Sequence, residues 1–377
     1  MKLFKSLLVA PATLGLLAPL SATANEVTIN DFAPAEELAV TNSRVDGLEA
    51  RLNDFEAGSF SSTTSASFSV DMAIGAVESS TVTEAVSAVY GYQMDLSTSF
   101  TGEDTLAVAI KAGQGAASLG ELDLNSDGDG LIIDGITYSF PVGEKLTVLV
   151  GDSTSGSALF STACVYSGFT NTLDDCGNAA SAITATAHSS FVTGTVGFSA
   201  AYDIGNGFTG AFGYNGQGSD AAGLATNEAL DYYAAQLTYT ADNYGASVTY
   251  ANLDAATAIG LNGYYVFDSN LPSISVGYEF GDFENQTIGN VASVETETTQ
   301  WFVGLQWDEL GNGTLGVAMG SRGPQVEDTD ENMAYEVFYT YNVNDSMTIT
   351  PAMFILENNA AGQDDQTGVV VKTSFSF

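Results

Sequence analysis

From Ser59 to the last residue the chain alternates apolar with polar or small side chains at a period of two. Ala66, Phe68, Val70, Met72, Ile74 and Ala76 are apolar, and Ser67, Ser69, Asp71, Ala73 and Gly75 between them are polar or small. Successive side chains of an extended strand point to opposite faces, so this spacing predicts a strand with one apolar face. The pattern returns in Val86-Ala88-Tyr90-Tyr92-Met94-Leu96, Leu106-Val108-Ile110, Ile136-Tyr138-Phe140, Leu146-Val148-Val150 and Val196-Phe198-Ala200-Tyr202-Ile204. It continues through Ala246-Val248-Tyr250, Ile274-Val276-Tyr278-Phe280, Trp301-Val303-Leu305-Trp307, Leu315-Val317-Met319, Tyr335-Val337-Tyr339-Tyr341 and Val369-Val371. Short polar pairs such as Asn206-Gly207 and Asn312-Gly313 favour two-residue hairpins, which makes neighbouring strands antiparallel. Other connections are long: Gly113 to Gly130, Asp152 to Ser190, Gly216 to Asn227 and Ser321 to Asn332.

A soluble sandwich also alternates, so the decisive matter is what touches the apolar face. Here that face is rich in Tyr and Phe, and the opposite face carries Ser, Thr, Gly and Asn with scattered acids. This distribution suits lipid outside and water inside a closed barrel, the only sheet that satisfies every strand edge in hydrocarbon. The 319 residues after Gly58, at roughly 20 residues per strand and connection, predict about 16 strands. The fold class is therefore all-β, a transmembrane antiparallel barrel.

The segment before it reads differently. Leu38, Val45, Leu48, Leu52 and Phe55 fall at a and d positions of a heptad, and Gly58 is a suitable C-cap, which predicts a short N-terminal coiled-coil helix within residues 25–58. Upstream, Lys2 and Lys5, an apolar stretch from Leu7 to Leu20 and the small residues Ala22-Thr23-Ala24 have the layout of a secretory signal peptide, expected to be removed after residue 24.

Composition sharpens the picture. Removing residues 1–24 leaves six basic residues against 46 acidic ones, a formal charge of −40. Nucleic acid and anionic surfaces are poor partners for such a chain. Acidity of this degree accompanies disorder only where apolar residues are scarce, and here 45% are hydrophobic.

If the apolar sets face lipid, the residues between them face the lumen. Asp71, Asp95, Asp203, Glu279 and Glu336 are then candidate pore-lining acids, with Lys111 the one clear opposing base, and this balance predicts preference for cations. The run DLNSDGDGLIID, Asp123 to Asp134, sets oxygen ligands at EF-hand-like spacing, making Asp123, Asn125, Asp127, Asp129 and Asp134 candidate calcium ligands; position 12 is Asp where Glu is usual, and strands replace the flanking helices. Cys164 and Cys176 are the only cysteines and share one long loop, which in an exported chain predicts a disulfide. Gly205 to Gly210 matches GxGxxG but opens no helix, so it reads as a hairpin turn. His188 is the only histidine, with no GxSxG or HExxH beside it, which disfavours an enzyme.

Several runs resemble the cyanobacterial outer-membrane porins, a family also labelled iron-uptake porins and related to the carbohydrate-selective porins. They are RVDGLEARLNDFEAGSFSSTT (Arg44 to Thr64), DGITYSFPVGEKLTVLVG (Asp134 to Gly151), YAAQLTYTADNYGASVTYAN (Tyr233 to Asn252), LPSISVGYEF (Leu271 to Phe280) and the closing strands. The resemblance implies a homotrimer of 16-stranded barrels in the outer membrane, passing ions and small hydrophilic solutes. Apart from the candidate calcium loop, no cofactor is expected to be required. Members carry an S-layer-homology domain between leader and coiled coil; the interval from Ala24 to Arg44 is too short for one, so peptidoglycan binding is not expected. A different class, an adhesive or structural calcium-binding cell-surface β-protein, would fit the acidity and the candidate calcium loop.

Overall fold

The computed structural model describes residues 64–377 apart from 80–84, 116, 123, 125–127, 178–195, 217–222, 227–230, 253–255, 269, 289–290 and 360–362. The expected leader and the expected coiled-coil segment thus lie outside the described residues. The strands are β1 (Thr64–Glu78), β2 (Ser87–Thr98), β3 (Thr105–Gln114), β4 (Gly128–Val142), β5 (Leu146–Asp152), β6 (Val196–Gly205), β7 (Phe208–Gly216), β8 (Asp231–Thr240) and β9 (Tyr244–Asn252). They continue as β10 (Ala256–Tyr265), β11 (Ser273–Ile288), β12 (Val291–Trp307), β13 (Gly313–Ser321), β14 (Gln325–Val326), β15 (Met333–Asn344), β16 (Met347–Leu356) and β17 (Gln366–Ser376).

Each strand pairs antiparallel with its sequence neighbours, and β1 pairs with both β2 and β17, so the sheet closes. The two-residue β14 only prolongs the edge of β13 along β12, with Thr298 opposite Val326. Sixteen long strands therefore enclose the lumen, the number expected from chain length. At the seam Phe68 N donates to Phe377 O at 2.8 Å and Phe377 N returns to Phe68 O at 3.0 Å, with the two rings stacked 5.7 Å apart.

The alternation sorts side chains as the sequence predicts. On β8, Tyr233, Leu237 and Tyr239 point outward, while Tyr232, Ala234, Gln236 and Thr238 point inward and are buried. On β11, Ile274, Val276, Tyr278 and Phe280 face out, and Ser273, Ser275, Gly277 and Glu279 face in. Large apolar side chains such as Met72, Ile74, Leu237, Val248, Tyr250, Ile259, Val276 and Phe280 are exposed over the outer wall. A water-soluble protein rarely presents so continuous an apolar surface.

One end of the barrel has short turns. Between β6 and β7, Asn206 and Gly207 take φ of 55° and 83°, as a two-residue hairpin with matching twist requires; the GxGxxG match is this turn. The expected Asn312-Gly313 hairpin differs. The β12–β13 connection runs from residue 308 to 312, the left-handed residue is Gly311 at φ 70°, and Gly313 is already the first residue of β13. Between β2 and β3 the turn folds around one carboxylate: Asp104 Oδ1 accepts from Phe100 N, Thr101 N, Ser99 Oγ and Thr101 Oγ1 at 2.7–2.9 Å, and Oδ2 from Tyr138 Oη at 2.8 Å. These donors, the Thr101 N–H foremost, hold the Asp104 carboxyl far below the ordinary carboxylate range. The opposite end carries the long connections, and among the described residues those after β3 and after β5 turn inward.

Candidate functional site

The β5–β6 connection enters the lumen and runs along its inner wall. A backbone taken out of water must find acceptors, and the inward polar residues of the strands supply them in turn. Gly156 N donates to Asn215 Oδ1 on β7, Leu159 N to Ser199 Oγ on β6 at 3.2 Å and Ser161 N to Gln236 Oε1 on β8 at 2.8 Å. Val165 N and Tyr166 N share Ser275 Oγ on β11 at 3.0 and 3.1 Å, and Ser167 N reaches Gln306 Oε1 on β12 at 3.0 Å.

The path ends on Glu336 of β15. Its Oε1 accepts from Tyr166 Oη at 2.8 Å and Phe169 N at 3.0 Å, and its Oε2 from Thr170 N at 2.9 Å and Thr170 Oγ1 at 2.6 Å. Around this carboxylate Tyr166 packs on Phe302 and Phe338, and Phe169 on Phe338, with ring centroids 5.4–6.0 Å apart. Burial first, then the nearby Glu336 charge, push the Tyr166 phenol well above its ordinary value, so it remains a donor. Cys164 and Cys176 are joined by a disulfide across the same stretch.

The β3–β4 connection also turns inward. Glu121 takes Thr172 Oγ1 on its carboxylate at 2.9 Å and Asn171 N on its carbonyl at 3.0 Å, locking the two connections together. Leu119, Leu122 and Leu124 of one and Phe169 and Leu173 of the other bury themselves with Val77, Val89, Phe354 and Val370 of the wall. An apolar core therefore fills part of the lumen, where a barrel of this strand number otherwise leaves an aqueous channel.

The candidate lining residues are scattered over this architecture. Asp71 and Asp95 are inward and half-buried, and Asp95 accepts from Gln93 Nε2 at 3.0 Å. Lys111 is inward on β3 and pairs with Asp134 at 2.7 Å. Asp203 sits exposed beside the β6–β7 turn, where its carboxylate caps Gly205 N at 2.8 Å. Glu279 and Glu336 point inward but are 2% and 3% exposed: Glu279 accepts from Gln300 at 2.7 Å, and Glu336 lies beneath the loop it holds. Two of the five acids thus do not meet lumen water. The base count also changes, because Lys372 of β17 is inward as well, with Nζ 5.5 Å from the Phe169 ring.

Of the candidate calcium ligands, Asp123, Asn125 and Asp127 lie outside the described residues. Asp129 and Asp134 both fall in β4 and are drawn to different sides. Tyr90 Oη, on the outward side of β2, donates to Asp129 at 2.7 Å, and Asp134 meets Lys111 inside. Lying on opposite faces of the same strand, the two carboxylates do not converge on one ion. His188 is likewise outside the described residues. Sequence reasoning missed Glu121, Asp104, Lys372 and the inward Ser, Asn and Gln acceptors; for Lys372 the signal was present, since it alternates with the outward Val369 and Val371.

No family model matches this chain. An uncharacterized protein of Nostoc sp. (strain PCC 7120), alr4550, is 26% identical over 433 aligned positions that cover 95% of this chain and 74% of that protein. Among solved structures, Pseudomonas putida OprB at high pH superposes with a TM-score of 0.60 at 13% identity, over 84% of this chain and 94% of that one. A point-mutant porin from Rh. blastica superposes with a TM-score of 0.53 at 14% identity, over 83% of this chain and all of that one. At such identities the likeness is one of fold: this chain is built as the porin barrels are.

Proposed function

We propose that this chain is an outer-membrane porin, a passive diffusion channel for inorganic ions and small hydrophilic solutes driven only by their gradients. One observation carries the proposal. The closed barrel is inside-out relative to a soluble protein, with aromatic and aliphatic side chains exposed outside and hydroxyl, amide and charged groups inside. Strands β7 to β10 are nine or ten residues long, the length that crosses a hydrocarbon layer of about 30 Å when tilted by about 45°. The inward loops narrow the lumen without replacing its polar wall, which suits size-limited passage of hydrated solutes.

The channel prefers cations. Asp71 and Asp95, inward and half-buried, together with the acidic long connections, outweigh Lys111 and Lys372 and raise local cation concentration. Glu279 and Glu336 no longer support this preference. Three chains assemble into one unit, a feature drawn from the family resemblance. The solute class, iron complexes or carbohydrates among the labels that family bears, is a choice for transport assays.

Purified full-length protein in planar bilayers is the test. Stepwise conductances, grouped in threes, with a reversal potential of cationic sign under a salt gradient, are expected. Liposome swelling with graded sugars and iron chelates then ranks the solutes. A leaderless chain that folds as a soluble monomer in plain buffer and never conducts would overturn the proposal.

A further inference from the structure

The inner wall is not evenly covered. On β8 to β12 the inward residues Gln236, Thr238, Thr249, Asn262, Ser275 and Gln300 are at most 5% exposed. On β2 to β5 the equivalent residues Gln93, Asp95, Ala109, Ser139, Thr147 and Leu149 remain partly exposed. The difference follows from where the β5–β6 connection finds its acceptors: it binds β6, β7, β8, β11, β12 and β15 in turn, and none of its hydrogen bonds to the wall named above falls on β2 to β5. The β3–β4 connection covers Val89 and Gly91 of β2, so among the described residues the rest of β2 to β5 is the stretch of this wall left open to water.

A local irregularity marks that wall. Ala109 faces Gly135 and Ile110 faces Ile133, so Asp134 is an extra residue with no opposite number, a β-bulge. Strict alternation would aim a neighbour of the inward Gly135 at the outer surface. The bulge instead turns Asp134 inward, with Oδ1 2.7 Å from Lys111 Nζ, and the two side chains keep 35% and 23% of their exposure. Directly opposite Lys111 on β2 is Gln93, which in turn holds Asp95 at 3.0 and 3.2 Å. An ion pair this wet adds little to stability, so stability does not account for a bulge that delivers a carboxylate to a lysine. Two opposite charges at the edge of a water path do alter what passes, since both lie well within a Debye length of any ion in it.

We propose that solutes travel along the β2–β5 wall and that Asp134 masks the charge of Lys111 there, so that the pair is the selectivity element of the passage. The proposal rests on the porin reading above. Removing Asp134 takes one negative charge from the path and shifts the balance toward anions; removing Lys111 takes one positive charge from it, and the carboxylates of Asp134 and Asp95 then act together toward cations.

The test uses the full chain in planar bilayers under a salt gradient. Asp134→Asn is expected to lower the cation-to-anion permeability ratio, and Lys111→Gln to raise it, each by about twofold or more, with the double variant returning close to the parent value. A second measurement does not depend on those variants folding. Ser139→Cys on the open wall should react with a cationic methanethiosulfonate reagent and lose conductance, whereas Thr249→Cys on the covered wall should not. Reversal potentials unmoved in both charge variants, or block at position 249 in place of 139, overturn this proposal while leaving the channel itself intact. A parent protein that never conducts defeats the porin reading instead.

Discussion

Thr170 reaches Glu336 twice, through its hydroxyl at 2.6 Å and its backbone N–H at 2.9 Å, and so fixes the inward loop to a strand 166 residues further along the chain. With Tyr166 Oη and Phe169 N on the other oxygen, a single carboxylate satisfies four donors that have no water to turn to. Leaving a buried donor unmade costs about 1–3 kcal/mol.

Glu336→Ala should therefore free the loop while the barrel persists, because the β15 ladder to β13 and β16 does not involve the side chain. Single-channel records are expected to show larger and noisier conductance, and limited proteolysis to cut within residues 154–177. A parent-like trace and an uncut loop would show that Glu336 does not hold it.

The Cys164–Cys176 bridge closes a loop with a sequence separation of 12, worth roughly 3 kcal/mol in restricted chain freedom. Replacing both cysteines by serine should broaden the distribution of conductance levels and lower the temperature at which the lumen loops open, measured by hydrogen exchange. Exchange rates in the strands are expected to stay unchanged.

Asp104 gives a pH dependence with a definite sign. Its folded-state pKa is depressed, so its contribution is complete above the ordinary carboxylate value near 4 and fades as pH falls below it toward the folded value. Thermal unfolding in detergent should show Asp104→Asn less stable than the parent at pH 7, with the gap narrowing below about pH 4. A gap constant from pH 7 to pH 3 would refute this role.

Val276 lies outward near the middle of the aromatic and aliphatic row of β11. Val276→Arg should cost ~2–4 kcal/mol when the barrel folds into lipid, read from denaturant titrations in vesicles. In a protein whose outer wall met only water, the same change would cost almost nothing.

Much of this was written in the period-two pattern. Ile274, Val276, Tyr278 and Phe280 fix the outward side of β11, and the same parity put Glu279 and Glu336 inside, where they are. That Glu336 is covered could not be read from spacing, because the cover is a loop whose acceptors come from strands spread between Ser199 and Glu336. Such a path is chosen by the closed barrel as a whole and leaves no local periodicity. Bulges escape for a related reason: alternation assumes one residue opposite one, and Asp134 breaks that count. The Asn312-Gly313 pair misled because Asn-Gly favours a tight turn in isolation, while the β12–β13 edge needed a longer bridge with its left-handed residue at Gly311.

The seam between Phe68 and Phe377 has a consequence for how the wall comes into being. Every other junction joins segments close in the chain, but β1 waits for β17, the most distant partner available. Until they meet, both stand as raw edges with unanswered amides, open to any strand that drifts past. The molecule must be sheltered for the whole of its assembly, and its last step is the one that makes it safe.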